Sequence, residues 1–344
     1  MTAQRLYLDH AATTPLLPQA RAAMEQGFAL WANPSSPHAE GRAARAALES
    51  ARERLKKALG WTGEVIFTSG ASEALAIAVR QCAQPLRAVS AVEHDAALRL
   101  AGDAQPLAVD GAGLIAPADC AHAGLVAVQQ VNSETGVIQP LTDIAAAVRS
   151  AGGLLLADCA QGAGKIALPD ADLVALSAHK FGGPIGVGAL LVRKWAMLTP
   201  SGGQERGYRG GTENLPGVLA MVAALEAGSA WMERAAALRA RLEQALVAAG
   251  GLIVAAQAPR IATIGGIRMP GVSSAAQLIR FDAAGIAVSA GSACSSGSLK
   301  PSHVLTAMGV DGASEVIRVS LGRETQAADV DRFIAAWQAV AQRT

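Results

Sequence analysis

The sequence contains few cysteine and aromatic residues and has almost no net charge. Among 344 residues there are 4 cysteines, and aromatic residues account for 3%. The cysteines are far apart and include no C-x-x-C pair, which excludes a disulfide framework and leads us to expect a reducing, cytoplasmic compartment. The chain carries 29 Lys and Arg against 28 Asp and Glu. This balance excludes the strongly basic surface typical of proteins that bind nucleic acid or anionic membranes.

Long apolar runs are also missing. No run of roughly eighteen apolar residues occurs, so the sequence predicts no membrane-spanning helix. The first residues, MTAQRLYLDHAATTP, lack a charged head followed by an apolar core, and we therefore expect no export signal. With 51% hydrophobic residues the chain can bury a large core, and its length predicts two domains or one with an appendage. Helical sequence covers residues 39–59 and, interrupted by glycines, 215–249.

Several short apolar runs end in polar residues, and helical sequence lies between many of them. The polar ends are Glu93-His94, Asn132-Ser133-Glu134, the segment 158–161 (DCAQ) and the segment 177–180 (SAHK). This alternation predicts a mostly parallel α/β sheet, in which ligands bind at the carboxyl ends of the strands. We therefore expect these polar groups to form one site rather than a series of unrelated helix caps.

A further apolar run, 64–67, leads through the segment 68–73 (TSGASE) into helical sequence. A strand, a tight turn and a helix in this order form an anion cradle, because backbone N–H groups, the helix dipole and the Ser72 hydroxyl point at one place. The alternative is an ordinary helix N-cap by Ser or Thr.

Lys180 lies where the apolar run 173–176 ends and a glycine-rich turn begins. A lysine amine in such a place can lose its proton by desolvation and attack an aldehyde. The alternative is a solvated lysine after a strand. The glycines that follow Lys180 do not lead a βαβ unit, and Gly164-Lys165 precedes Ile166 where a P-loop needs Ser or Thr. Both nucleotide-binding motifs are therefore excluded.

Cys294 differs from the other three cysteines in its surroundings. It lies in the glycine-, serine- and alanine-rich segment SAGSACSSGS, whose composition predicts an accessible loop. We expect Cys294 to act as a nucleophile, which requires its thiolate form. Cys82, Cys120 and Cys159 are expected to be packing residues, the usual role of an isolated cysteine.

A series of motifs runs almost from end to end of the chain. They are YLDHAATTP, NPSSPH, FTSGASE, VNSETGVIQP, DCAQGAGK, SAHKFGGPIGVGAL, GGQERGYRGGTEN, SAGSACSSGSLKPSHVL and IRVSLGR. With them the chain resembles the cysteine desulfurases of the NifS/IscS-like group, in the class V branch of the fold-type I pyridoxal-phosphate enzymes. The resemblance implies a large cofactor-binding domain (15–248) with a mostly parallel sheet of the seven-stranded type. It also implies a smaller α+β domain (1–14 and 249–344) that carries the cysteine loop.

The resemblance implies pyridoxal 5'-phosphate as the cofactor. Lys180 is then the residue that bonds it, Asp158 faces the nitrogen of its ring, and His94 stacks on the ring and takes part in proton transfer. The other cofactor-binding residues that the resemblance implies are Gln161, Ala71, Ser72, Ser133, Ser177, His179 and, reaching the neighbouring subunit, Thr212.

The implied reaction converts L-cysteine to L-alanine and leaves the sulfur as a persulfide on Cys294. The catalytic residues are then Cys294, Lys180 and His94, while Arg318, helped by Asn33, holds the substrate carboxylate. No metal is expected. The expected partners are a second copy of the chain, in a homodimer with shared sites, and a sulfur-acceptor protein for iron–sulfur cluster or thio-cofactor assembly.

Three other activities are weighed against this one. A selenocysteine lyase differs little in sequence, although the Ser/Gly-rich segment around Cys294 favours the sulfur enzyme. A non-catalytic pyridoxal-phosphate scaffold or regulator is supported by two departures from the family pattern. These are Ser133 where an asparagine is common and a missing insertion after Glu73. A transaminase has no use for a cysteine on an accessible loop.

Overall fold

A seven-stranded sheet forms the centre of the structure. The computed structural model describes residues 5–291 and 301–342. The first strand, β1, spans Leu6–Tyr7, and the strands of the central sheet are β2 (Glu64–Thr68), β3 (Leu86–Ser90), β4 (Gln105–Leu107), β5 (Leu125–Gln129), β6 (Leu154–Asp158), β7 (Leu173–Ser177) and β8 (Gly188–Val192). Their order is β2-β8-β7-β6-β5-β3-β4. Strands β3 to β7 are parallel, and β8 is antiparallel to both neighbours. This confirms the predicted mostly parallel α/β fold.

Both faces of this sheet are buried, which explains why its strands are short continuous apolar runs. In β7, Val174 and Leu176 belong to the core on one face, while Leu173 and Ala175 belong to the core on the other. Successive side chains of a strand point to opposite faces, so one apolar run supplies two cores.

Helices cover the sheet and supply the remainder of the two cores. They are α1 (Pro18–Ala29), α2 (Ala39–Leu59), α3 (Ala71–Gln81), α4 (Asp95–Leu98), α5 (Leu141–Ser150) and α6 (Leu215–Glu226). The bounds of α2 follow from its sequence. The His38 side chain accepts a hydrogen bond from the Gly41 N–H at the start, and Gly60 ends the helix in the left-handed conformation, φ 64°.

The C-terminal part of the chain builds a second, smaller sheet with its own core. Its elements are α7 (Met232–Ala248), β9 (Leu252–Ile253), β10 (Ile264–Arg268), α8 (Ser274–Ala283), β11 (Ile286–Ala287), α9 (His303–Ala307), β12 (Val316–Ser320) and α10 (Ala327–Ala341). Strands β9 and β12 flank β10 in an antiparallel sheet, and β1 pairs in parallel with β11. Phe281, Phe333 and Trp337 lie at the centre of this core. The N-terminal strand thus joins the C-terminal part.

Among the described residues, no helix combines the length and the apolar character that crossing a membrane requires.

Candidate active site

A cavity of about 460 Å³ opens where β5, β6 and β7 end, beside the N-terminus of α3. Most of the residues singled out in the sequence line this cavity: Ala71, Ser72, His94, Ser133, Asp158, Gln161, Ser177, His179, Lys180 and Arg318. They come from the ends of parallel strands, from α3 and from β12. The fold therefore brings together side chains that are up to about 250 positions apart in sequence.

Three of the singled-out residues are not among the lining residues. Asn33 and Thr212 are exposed on the single chain, and the Asn33 side chain accepts a hydrogen bond from the Ser35 N–H at 2.8 Å. Cys294 belongs to residues 292–300, which lie outside the described residues. The roles expected for these three residues stay predictions.

Lys180 ends a short 3₁₀ turn, Ala178–Lys180, that directly follows β7. Its Nζ donates hydrogen bonds to the carbonyl oxygens of Ala11 and Ala12, at 2.8 and 2.9 Å. The Thr14 hydroxyl donates to the Lys180 carbonyl at 3.2 Å. The turn after β1 therefore holds Lys180 at the cavity wall through both its side-chain amine and its backbone carbonyl.

Asp158, the last residue of β6, places a buried carboxyl group in the cavity. Burial raises the pKa of Asp158, although the Ala160 N–H at 2.9 Å and the charges of His94 and Lys180 favour the carboxylate. Burial also raises the pKa of neighbouring Glu93 well above its ordinary value, and the charge of Asp158 adds to this effect. The pKa of Glu93 is thus raised more strongly than that of Asp158, so Asp158 is the member of the pair that keeps a negative charge more readily.

The N-terminus of α3 faces the cavity and has the features of an anion cradle. The N–H groups of Ala71 and Ser72 lie in its first turn, where no intrahelical acceptor exists. Gly70 precedes them with φ 153°, a conformation that costs little only for glycine. A Cβ on Gly188 of β8 would lie 2.6 Å from the Gly70 Cα, so the neighbouring strand supports the cradle by direct backbone contact.

Sequence reasoning missed the residue that connects this cradle to a distant loop. The Glu73 carboxylate accepts the Ser69 N–H and also accepts a hydrogen bond from Arg209 Nε at 3.0 Å. Arg209 lies in the glycine-rich loop that leads to Thr212. The position of Glu73 in the first turn of α3, where acidic residues favour a helix start, was the only local signal.

The two cavity histidines are held in defined states. His94 is the N-cap of α4, and its Nδ1 accepts the Ala96 N–H at 3.1 Å, so the proton of a neutral ring lies on Nε2. Burial and the charges of Lys180 and Lys165 lower the pKa of His179 to about 4. The His179 ring is therefore neutral at pH 7, within 3.2 Å of the Thr13 hydroxyl.

Arg318 enters the cavity from β12 and is only 4% exposed. Its Nη1 donates to the Ser133 carbonyl at 3.0 Å, and its Nη2 donates to the Asp9 carboxylate at 2.8 Å. Its Nε has no hydrogen-bond partner among the described residues. The guanidinium is thus oriented by two contacts and keeps further N–H donors, among them the buried Nε, for a ligand.

The donor set of this cavity fits pyridoxal 5'-phosphate. It combines an amine, a buried carboxyl group, a stacking imidazole and an anion cradle, in a volume typical of cofactor sites. Gln161 Nε2 donates to the Ala11 carbonyl at 2.9 Å, while its buried Oε1 has no partner among the described residues. A donor group of a bound ligand would satisfy this oxygen, and an acceptor group would satisfy the Arg318 Nε. The sheet and this set of residues define a fold-type I pyridoxal-phosphate enzyme.

Comparisons with known proteins agree with this class. The family model described as aminotransferase class-V matches residues 6–333. The chain is 37% identical to a cysteine desulfurase of Cereibacter sphaeroides, over 96% of this chain and 94% of that protein. A NifS-like protein from Rickettsia africae superposes with a TM-score of 0.90 at 28% identity, covering 98% of this chain and all of that one. SspA, solved in complex with cysteine, gives a TM-score of 0.80 at 28% identity, over 93% of this chain and 100% of that chain.

The chain therefore belongs to the class V aminotransferases and, within them, to the cysteine desulfurase family, whose cofactor is pyridoxal phosphate.

Proposed function

We propose that this protein is a cysteine desulfurase that takes the sulfur of L-cysteine onto Cys294 and releases L-alanine. In the overall reaction the carbon–sulfur bond of the substrate breaks, an S–S bond forms at Cys294, and the protein thiol becomes a persulfide. The observation that carries the proposal is the convergence of Lys180, Asp158, His94 and Arg318 on one cavity at the ends of parallel strands.

The residues around the cavity divide into groups that would hold different parts of the cofactor. Lys180 would bond its aldehyde carbon, and the Asp158 carboxylate would pair with the ring nitrogen. When bound, the cofactor supplies an electron sink for the bonds broken at the substrate. The phosphate would be held by the cradle together with neighbouring polar groups, namely Ala71, Ser72, Ser177 and His179. Gln161 and Ser133 would complete the polar contacts.

The chain's own proton carriers would be Lys180 and His94. Lys180, once its amine is free, would take the proton from the substrate Cα and hold it on Nζ. The Nδ1 contact fixes the orientation of the His94 ring and places the proton of its neutral form on Nε2, so that the ring face would stack on the cofactor and Nε2 would exchange protons. Both residues line the cavity, whereas the carboxyl group of Glu93 is buried beneath it.

Arg318 is the proposed binding residue for the substrate carboxylate, with Asn33 as a helper. A guanidinium binds a carboxylate through parallel N–H donors, and the contacts of Arg318 with Asp9 and Ser133 hold the fork in place beforehand. The positive charge of Arg318 faces the same cavity as Lys180. An amino-acid substrate requires this arrangement, because its carboxylate and its reacting Cα must be held in one cavity.

We propose a homodimer in which Thr212 of one subunit reaches the cofactor phosphate of the other. Three observations support this arrangement. Thr212 is exposed and lies outside the cavity of its own chain. Ile185, at the cavity rim, is 78% exposed. Phe28 and Trp31 add two further exposed large apolar side chains, at 61% and 79%.

We further propose a division into a large and a small domain. Leu6 and Leu8 pack in the same core as α8 and α10, which supports placing residues 1–14 with the C-terminal part. The helix α7 contributes Leu238, Leu242 and Leu246 to that core. We therefore move the boundary from residue 248 to the break between α6 and α7, at residues 227–231.

The sulfur on Cys294 would pass to an acceptor protein, for which an iron–sulfur scaffold or a thio-cofactor enzyme is the proposed class.

A cytoplasmic location is proposed because the four cysteines are scattered along the sequence and form no C-x-x-C pair. Of the four, Cys120 and Cys159 are free and buried, and Cys82 is free and half-buried. This supports a thiol-based rather than disulfide-based chemistry.

The test is alanine formation from L-cysteine by purified protein, with the visible absorption of bound cofactor recorded on the same sample. The wild type and the surface variant Lys57→Ala should show both signals, and Lys180→Ala should lose alanine formation. A visible band without alanine would identify the non-catalytic scaffold. Turnover of selenocysteine but not of cysteine would identify the lyase.

A further inference from the structure

A second, much smaller cavity lies behind Lys180, at the seam between the central sheet and the C-terminal sheet. Its volume is about 20 Å³, which is room for a single water molecule. Lys180 and Ala11 line both this cavity and the large one. The remaining polar walls come from distant parts of the chain and include His10, Lys165, Thr263 and Arg323.

Three buried polar atoms of residues at this small cavity lack a hydrogen-bond partner among the described residues. They are His10 Nδ1, Thr263 Oγ1 and Trp231 Nε1. His10 is 9% exposed and Thr263 2% exposed, so bulk water does not satisfy these atoms. Leaving such groups unpaired in the interior is unfavourable, because each has lost its hydrogen bonds to water without replacing them. A polar occupant of the cavity would remove this cost.

The chemistry of His10 identifies the occupant as water rather than an anion. Burial lowers the pKa of His10 to about 4, with a further contribution from the charge of Lys165, so its ring is neutral at pH 7. The ring also hydrogen-bonds to the Tyr7 backbone, which leaves Nδ1 as a bare acceptor. An acceptor lone pair repels an anion, whereas a water can donate to it and accept from a lysine or hydroxyl.

Lys165 is the buried cation of this cavity, at 7% exposure. The titratable and charged groups facing it are His10 from the turn after β1, His179 and Lys180 from the turn after β7, and Arg323 from the turn after β12. No carboxylate is among the described residues that line the cavity. Burial and the charge of Lys180 lower the pKa of Lys165 to about 7. The repulsion is mutual, so a proton on one amine disfavours a proton on the other.

We propose that Lys165 is a positioning residue for the reaction. With one internal water held by His10 and Thr263, the amines of Lys165 and Lys180 form a coupled pair that carries one proton, so that Lys180 remains a base. The inference rests on the proposed function of Lys180 and deepens it. From the large cavity the Asp158 carboxylate favours a proton on Lys180, whereas the charge of Arg318 opposes it. The additional charge that disfavours this proton comes from Lys165, behind the lysine, on the side that the substrate does not reach.

Two variants of Lys165, one without a charge and one with a permanent positive charge, test the pair. Lys165→Met removes the charge and approximately keeps the shape, while Lys165→Arg keeps the charge at every pH. Lys57→Met serves as the surface control. The measured quantities are the midpoint of the pH titration of the holoenzyme's visible band and the midpoint of the acid limb of kcat.

For Lys165→Met we expect both midpoints to rise by about half to one pH unit. The reason is that the Lys180 nitrogen then protonates more easily, both as an amine and when it is bonded to the cofactor. For Lys165→Arg we expect midpoints at or below those of the wild type. A merely structural role would move both variants alike, and unchanged midpoints in Lys165→Met would overturn the inference. A holoenzyme that binds cofactor but forms no alanine refutes the proposed function instead.

The water is tested separately by a high-resolution crystal structure of the holoenzyme. We expect one density peak within hydrogen-bond distance of His10 Nδ1 and Thr263 Oγ1. Thr263→Val, which removes the hydroxyl with little change of shape, should weaken this peak. An empty cavity, or a peak that refines as chloride, would contradict the assignment.

Discussion

The buried ion pair between Arg52 of α2 and Glu205 supports the loop that leads to Thr212, and breaking it should destabilise the protein strongly. Two Arg52 nitrogens donate to the two Glu205 oxygens at 2.8 and 3.0 Å, and the side chains are 3% and 1% exposed. Glu205 also accepts the Phe67 N–H of β2 at 2.8 Å. The carboxylate therefore joins the loop to the strand that precedes the anion cradle.

Glu205→Gln keeps the size of the side chain and removes its charge. It leaves the buried Arg52 guanidinium with only the part-exposed Glu49 carboxylate, 3.1 Å from Arg52 Nε, as counter-charge. Removal of one partner of a buried pair costs about 3–5 kcal/mol, and the Glu49 contact places the expected loss at the lower end of that range. The matched control is Glu226→Gln, whose bidentate partner Arg54 lies at the surface, with side chains 45% and 39% exposed. An exposed pair contributes about 0–1 kcal/mol.

The assay is thermal unfolding of both variants with bound cofactor, followed by the rate of cofactor loss. We expect a clearly lower melting temperature and faster cofactor loss for Glu205→Gln, and a nearly unchanged curve for Glu226→Gln. A double variant, Arg52→Met with Glu205→Leu, should recover part of the stability because it buries no unpaired charge. Equal effects of Glu205→Gln and Glu226→Gln would refute the reasoning.

Three further predictions concern the cavity and the buried histidines. Asp158→Asn should retain a visible cofactor band and lower kcat by about a hundredfold or more, because the ring nitrogen loses its charged partner; an unchanged kcat contradicts this role. Arg318→Lys should raise KM for L-cysteine by about tenfold, since a single ammonium replaces the fork; an unchanged KM argues against carboxylate binding. The pKa values of His10 and His179 are about 4 in the folded chain against 6.5 ordinarily. Unfolding therefore takes up protons between about pH 6.5 and 4. The melting temperature should fall as the pH is lowered through this window, and it should fall less in His10→Asn.

Local sequence was sufficient where one segment determines its own structure. The helix predicted over 39–59 has those bounds in the structure, because strong helix formers are followed by Gly60. The apolar runs of the central sheet became strands within a residue or two of the expected ends. The helical sequence over 215–249 is divided near Gly228, which adopts a φ of 72°. In contrast, α1 has no capping side chain, and Pro18 in its first turn is its local start signal; the helix packs mainly against α6.

The parts that sequence could not provide all depend on long-range contacts. Glu73 and Arg209 are 136 positions apart, and Arg52 and Glu205 are 153 apart. Nothing in the motif around Lys165 indicated that it would be buried behind Lys180, because the excluded P-loop was the only local reading of that segment. Such residues acquire their roles through packing of distant elements, and no periodicity or spacing in one segment records this.

The central claim is tested most directly by mass spectrometry of the protein after brief incubation with L-cysteine. The wild type and the control Cys82→Ala should gain the mass of one sulfur atom, reversed by a reductant, while Cys294→Ala should gain none. Tandem fragmentation should place the added sulfur on Cys294. An unmodified wild type whose visible band still responds to L-cysteine, or sulfur retained by Cys294→Ala, would contradict the account.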